Sequence, residues 1–171
     1  MDNLKINYDI NLLIDGMGII FYSDGAVKNI QQGEDYFTSE YEDLDKVSKH
    51  IRKGDIVGFC TGSGGNYILK FRNGYPSDII DKQYPISIRL AIVIDGGRLC
   101  IKDLFDLIDW DSECPKEQQI ELDNGIYHIT LNTKEPQSGI YGDNQEIYVY
   151  LSKLDKMPKL MWEGVPQLFQ E

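Results

Sequence analysis

The 171-residue chain carries 28 Asp and Glu against 17 Lys and Arg, a formal net charge of −11, with 42% hydrophobic and 11% aromatic residues. That balance excludes a disordered chain, because the apolar content is enough to offset ordering entropy, and it works against binding DNA, RNA or an anionic membrane surface, all of which attract Lys and Arg clusters. The length fits one compact domain over 1–171, able to bury roughly 70% of the surface its unfolded chain exposes.

The opening from Met1 to Asn11 is polar and acidic, without the basic start and apolar run of a signal peptide. No apolar run reaches the length of a membrane span, so a cytoplasmic location is expected. Leu12-Leu13-Ile14, then Asp15-Gly16, then Met17 to Tyr22 set an Asp-Gly pair between two apolar runs, which predicts a hairpin. Glu34, Asp35, Glu40, Glu42, Asp43 and Asp45 follow with no base among them, and Leu44, Val47 and Ile51 at i, i+3, i+7 predict an amphipathic helix over Tyr41 to Arg52. Gly54 to Phe59 reads as a strand. The next run, Thr61-Gly62-Ser63-Gly64-Gly65-Asn66, reads as a wide turn, since a phosphate loop needs a Gly-Lys-Ser/Thr ending and a following helix. Tyr67 to Phe71 is a further strand.

Gly74, Pro76 and Pro85 mark the region where two halves, 1–76 and 77–171, would meet. The second half reuses the syntax of the first. Leu90 to Ile94, Asp95-Gly96-Gly97 and Arg98 to Ile101 predict another hairpin, and Asp103 to Trp110 has Leu104, Leu107 and Ile108 at i, i+3, i+4. Gly125 to Leu131 and Ile147 to Leu151 complete a second β-β-α-β-β series, a pseudo-repeat if the match is structural. The expectation is a predominantly antiparallel α+β fold, with about eight strands and two short helices in a sandwich or partly closed barrel. The apolar, proline-punctuated tail from Met157 to Phe169 is expected to dock along a sheet edge.

Three cysteines at wide spacing, Cys60, Cys100 and Cys114, lack the dense even pattern of a disulfide scaffold and read as reduced thiols. With His50 and His128 as the only histidines, a Cys-His nucleophile is poorly supplied, and no zinc or calcium ligand spacing occurs, so no metal or cofactor is expected. Carboxylates remain. Asp103, Asp106 and Asp109 repeat at i, i+3, i+6 and Asp111, Glu113 and Glu117 continue the charge. Such runs serve equally as a solvated helix face or as a docking surface for a basic protein, to which Tyr36, Phe37, Tyr41 and Trp110 would add rigid contact area.

Asp123-Asn124-Gly125-Ile126-Tyr127-His128-Ile129 and Pro158-Lys159-Leu160-Met161-Trp162, with the small acidic chain around them, resemble the small cytoplasmic immunity proteins of bacterial toxin–antitoxin competition systems and, more loosely, the β-rich inhibitor of a competence-associated nuclease. The resemblance implies a non-enzymatic protein that neutralises a cognate toxin, such as a basic nuclease, by direct contact. Asp103, Asp106, Asp109, Trp110, Asp111 and Glu113, with Tyr41, Glu42 and Asp43, are the expected partner-binding residues. The alternatives are a small-molecule or carbohydrate binding β-domain and a hydrolase using Cys60 or a carboxylate pair.

Overall fold

A computed structural model describes residues 6–170; the start of the polar opening segment lies outside them. In chain order the elements are β1 (Asn7–Ile14), β2 (Gly18–Tyr22), α1 (Asp24–Val27), a π-helical turn (Phe37–Tyr41), α2 (Leu44–Lys53), β3 (Ile56–Cys60), β4 (Gly65–Asn73), α3 (Asp78–Gln83), β5 (Ile86–Ile94) and β6 (Arg98–Asp103). A 3-10 helix (Leu104–Ile108), a second short 3-10 turn (Lys116–Gln118), β7 (Gln119–Glu121), β8 (Gly125–Thr133) and β9 (Gln145–Leu154) complete the chain. The strands form a five-stranded sheet in the order β1-β4-β9-β8-β5 and a four-stranded sheet in the order β3-β2-β6-β7. Every pairing is antiparallel except β4 with β9. The result is an α+β sandwich dominated by antiparallel β-structure, with no closed barrel.

Alternation decides which side chains fill it. In the five-stranded sheet the residues turned to the interior recur every second position: Ile10, Leu12 and Ile14; Tyr67, Leu69 and Phe71; Ile129 and Leu131; Ile147, Val149 and Leu151. Strands β2 and β3 are buried almost throughout, because the five-stranded sheet covers one face and α2 with neighbouring loops covers the other. Phe21 bridges the layers, with Phe59 at 5.4 Å and Phe71 at 5.9 Å between ring centres.

The two Asp-Gly segments are not hairpins. Among the described residues strand β1 pairs only with β4 and β2 with β3 and β6, so Asp15 to Met17 carries the chain from one sheet to the other, and Asp95 to Gly97 does the same between β5 and β6. Side-chain oxygens replace ladder hydrogen bonds at both corners. Asp103 Oδ2 accepts from the N–H groups of Asp15 and Gly16 at 2.9 and 3.1 Å, and Asn124 Oδ1 accepts from Gly96 and Gly97 at 3.0 and 2.8 Å.

Both halves trace one path: five-stranded sheet, four-stranded sheet twice, five-stranded sheet again, as β1-β2-β3-β4 and β5-β6-β7-β8. The strand at Gly125 therefore corresponds to β4 rather than to the Gly54 strand, and β9 has no counterpart. It fills the gap between β4 and β8, while β2 pairs with β6, so each sheet draws strands from both halves.

Helix α2 begins where Asp43 accepts from the N–H groups of Asp45 and Lys46, and it ends at Gly54. Gly54 takes φ 68°, and a Cβ there would press on the Ala91 carbonyl at 2.9 Å, so only glycine fits. Val47 and Ile51 are buried as expected, whereas Leu44, in the first turn, is exposed. Of the Thr61–Asn66 run, Thr61 to Gly64 is the turn and Gly65 and Asn66 open β4; Ser63 Oγ donates to the Tyr141 carbonyl at 2.6 Å and Asn66 N–H to the Gly142 carbonyl at 2.7 Å, holding it to the loop before β9. The tail lies along the edge of β3: Cys60 N–H donates to Pro166 and Leu168 N–H to Cys60, both at 2.8 Å.

Candidate functional site

The two acidic runs, distant in sequence, meet at one corner of the sandwich. Gly33 N–H donates to the Trp110 carbonyl at 2.7 Å, Trp110 N–H to Glu34 at 3.1 Å, and the Gln32 side chain bonds both Asp111 and Ser112. The Phe37 ring packs edge-on against Phe105 with centres 5.7 Å apart. Gly16 underlies the same place: a Cβ there would collide with Asp103 Oδ1 and the Phe105 ring, so the sheet-crossing turn and the 3-10 helix are in close contact.

A 3-10 helix explains how this corner presents its side chains. With three residues per turn, positions i and i+3 lie one above the other. Leu104, Leu107 and Trp110 share the buried edge, while Phe105 and Ile108 share the next and stay 43% and 44% exposed. Asp106 lies on the third edge, between Asp103, which caps the helix, and Asp109, which follows its last residue. The corner therefore has an exposed apolar centre, Phe105 and Ile108, flanked by carboxylates from both runs. Phe105 and Ile108 were not among the expected residues. The i, i+3, i+4 spacing assigns Ile108 to the buried side of an α-helix, and the period of three turns it outward.

The expected residues divide into three groups. Asp106, Asp109, Glu113 and Glu42 are exposed at or beside the corner. Desolvation, with the Asp103 charge as a second cause, lifts the Asp106 carboxyl above the usual range. Asp103, Asp111 and Asp43 are occupied by the fold. Besides the corner amides, Asp103 accepts from Phe105 N–H at 3.0 Å. Asp111 accepts from Glu113 N–H at 3.0 Å and from Gln32, which lowers its carboxyl. Asp43 caps α2.

The aromatic members, Tyr41 and Trp110, are interior groups, and their expected role as exposed contact area is corrected. Tyr41 is 3% exposed, donating its hydroxyl to the Ile56 carbonyl at 2.7 Å and accepting from Gly58 N–H at 3.0 Å. Trp110 is 1% exposed, packed on Tyr22 and under the Lys102 ammonium. Burying such a ring is worth about 2–3 kcal/mol, more than a rim contact returns, so core packing wins.

Comparison with known proteins places this architecture. No family model matches the chain and no curated protein matches its sequence. Two solved structures share the fold. ComJ from Bacillus subtilis, an inhibitor of the DNA degrading activity of NucA, is 10% identical, with a TM-score of 0.54 over 88% of this chain and 99% of ComJ. The protein of crocagin biosynthetic gene J is 12% identical, with a TM-score of 0.52 over 85% of this chain and 97% of its own. At such identities the likeness is one of fold.

Both histidines and Cys60 are engaged elsewhere. His50 Nδ1 lies 2.8 Å from Asp55, its ring stacks on Tyr41, and Nε2 is 3.4 Å from the Tyr36 hydroxyl. With Glu40, Lys46, Lys49 and Lys53 it lines a surface cavity of about 320 Å³. His128 Nδ1 is 2.8 Å from the Tyr75 hydroxyl, and partial burial followed by the Arg89 charge lowers its pKa. Burial raises the Cys60 thiol, and its backbone serves the tail. Among the described residues no group of three or more His, Cys, Asp and Glu side chains is placed to hold a metal ion, and no helix is long and apolar enough to cross a membrane.

Proposed function

We propose that this chain is a non-enzymatic bacterial inhibitor of the immunity-protein type, acting in the cytoplasm by covering the active site of a basic, nuclease-like toxin. The supporting observation is the convergence of two acidic segments around exposed Phe105 and Ile108. Asp106 and Asp109, exposed with Glu113 and Glu42, present negative charge of the kind that a nuclease cleft takes from a phosphate backbone. Half-exposed aromatic and aliphatic side chains at the centre supply what charge lacks, since interface energy concentrates at a few such anchors. The fold shared with an inhibitor of a DNA-degrading protein agrees with this reading.

The test is a DNA-cleavage assay with a basic nuclease domain that copurifies with this chain. Wild-type protein is expected to inhibit at equal concentration, and Phe105→Ala with Asp106→Asn and Asp109→Asn to weaken inhibition about 100-fold. Full cleavage in the presence of excess folded protein would refute the proposal. The second reading, a small-molecule binding domain, draws on the lysine-lined cavity at α2. It requires saturable thermal stabilisation by a small anion or sugar, lost in Lys49→Ala.

A further inference from the structure

Helix α2 carries Lys46, Lys49, Arg52 and Lys53 in an otherwise acidic chain. Lys46, Lys49, His50 and Lys53 stand at i, i+3, i+4 and i+7, so they share one helix face. With Glu40 from the π-helical turn they line the surface cavity of about 320 Å³, a size in the range of small-molecule sites. Its floor is fixed in place. Asp55 lies 2.8 Å from His50 Nδ1, the buried Tyr41 ring stacks beneath the imidazole, and the Tyr36 hydroxyl is 3.4 Å from Nε2. Asp55 also accepts from Ile56 N–H at 2.6 Å, so its carboxylate is spent on the fold.

The charges along this face do not balance. Lys46 donates to the Ser39 carbonyl at 2.8 Å and lies 3.7 Å from Glu40. Among the described residues the ammonium groups of Lys49 and Lys53 have no carboxylate within ion-pair distance and no hydrogen-bond acceptor. Like charges one turn apart weaken a helix, and Lys46 stands in the first turn, where the helix dipole disfavours a cation. The dipole accounts for Lys53 in the last turn but not for Lys46 and Lys49. Three ammonium groups facing one carboxylate leave an excess of two positive charges in the lining.

We infer that the α2 cavity is a binding site for a phosphate dianion, free or as the monoester of a small molecule, with Lys49 and Lys53 as its charge partners and Lys46 closing the third side. A phosphate group carries a charge of about −1.5 to −2 near neutral pH on three strongly accepting oxygens, which matches the excess in the lining. A carboxylate brings half that charge and a sugar none. Lysine suits the task because it meets phosphate as a mobile point charge and needs no planar, two-pronged partner. The inference rests on the small-molecule reading of this cavity and narrows it to one ligand class; the acidic corner takes no part in it.

The experiment titrates the whole chain with inorganic phosphate, glycerol phosphate, glycerol and sucrose at an ionic strength held constant with potassium chloride, reading heat by calorimetry and backbone amide shifts by NMR. Saturable binding of inorganic phosphate or glycerol phosphate is expected, with none of glycerol and with shifts centred on Glu40 and residues 46–53. Tighter binding of glycerol phosphate assigns the site to a phosphate ester, and tighter binding of inorganic phosphate to the free ion. Lys49→Gln and Lys53→Gln, both exposed positions, should each weaken binding about tenfold, whereas Lys134→Gln, in the loop after β8, should leave it unchanged. The inference is overturned if phosphate acts no differently from chloride, if the shifts spread over lysines elsewhere on the surface, or if Lys49→Gln binds as the wild type does. Saturable binding of sucrose, lost in Lys49→Gln, without binding of phosphate would overturn it and keep the small-molecule reading; binding of none of these compounds would remove both.

Discussion

Asp103 gives its oxygens to the N–H groups of Asp15, Gly16 and Phe105, so its charge holds two segments together instead of facing outward. Asp103→Ala leaves those donors without an acceptor and is expected to lower the unfolding free energy by about 1–3 kcal/mol, seen as a lower urea midpoint at unchanged slope. A shift under about 0.5 kcal/mol would mean that water replaces the carboxylate freely. Asp106 behaves in the opposite way, because desolvation and then the Asp103 charge raise its folded-state pKa. The folded chain holds that proton more tightly than the unfolded chain, so the group favours folding at low pH and this contribution is lost as pH rises through the ordinary carboxylate range. Asp106→Asn should therefore raise Tm at neutral pH and give no gain near pH ~3, below the usual carboxylate pKa; equal gains at both would refute the assignment. Asp35 and Asp111 carry the reverse sign, since bonds from Thr38 and Glu113 lower them and their contribution fades on acidification.

Among the elements, the tail makes the plainest prediction. Leu168 is 1% exposed beside β3, and its N–H and the Pro166 carbonyl satisfy both backbone groups of Cys60. Leu168→Ala should destabilise by about 2 kcal/mol, and chain removal after Asp155 should bare the β3 edge and produce concentration-dependent aggregation, measurable by light scattering. A fully monomeric truncated protein would show that this edge needs no cover. The strands were legible because period-two alternation and β-branched runs are local properties. What Asp15-Gly16 joins was not, since a turn between two apolar runs looks the same whether the second strand pairs with the first or crosses to another sheet, and the deciding bond comes from Asp103. The acids at the corner were legible by composition. Phe105 and Ile108 were hidden by helix type, and Tyr41 and Trp110 misled because an aromatic beside acids in sequence can point to the opposite side of the backbone.

Across the whole molecule, the charge of −11 sets kinetics more than affinity. Association with a basic partner should slow about tenfold between roughly 50 and 500 mM salt, with dissociation little changed, in a stopped-flow or surface-binding measurement. A salt-independent on-rate would remove charge steering from the account. The placement of β9 reaches further than binding. Because this late strand lies between β4 and β8, a nascent polypeptide leaving the ribosome exposes two unfinished half-sheets until residues 145–154 emerge and slide between them. A fragment that stops before Gln145 therefore lacks the strand that closes its larger sheet, and is expected to be fit for proteolysis rather than partial activity.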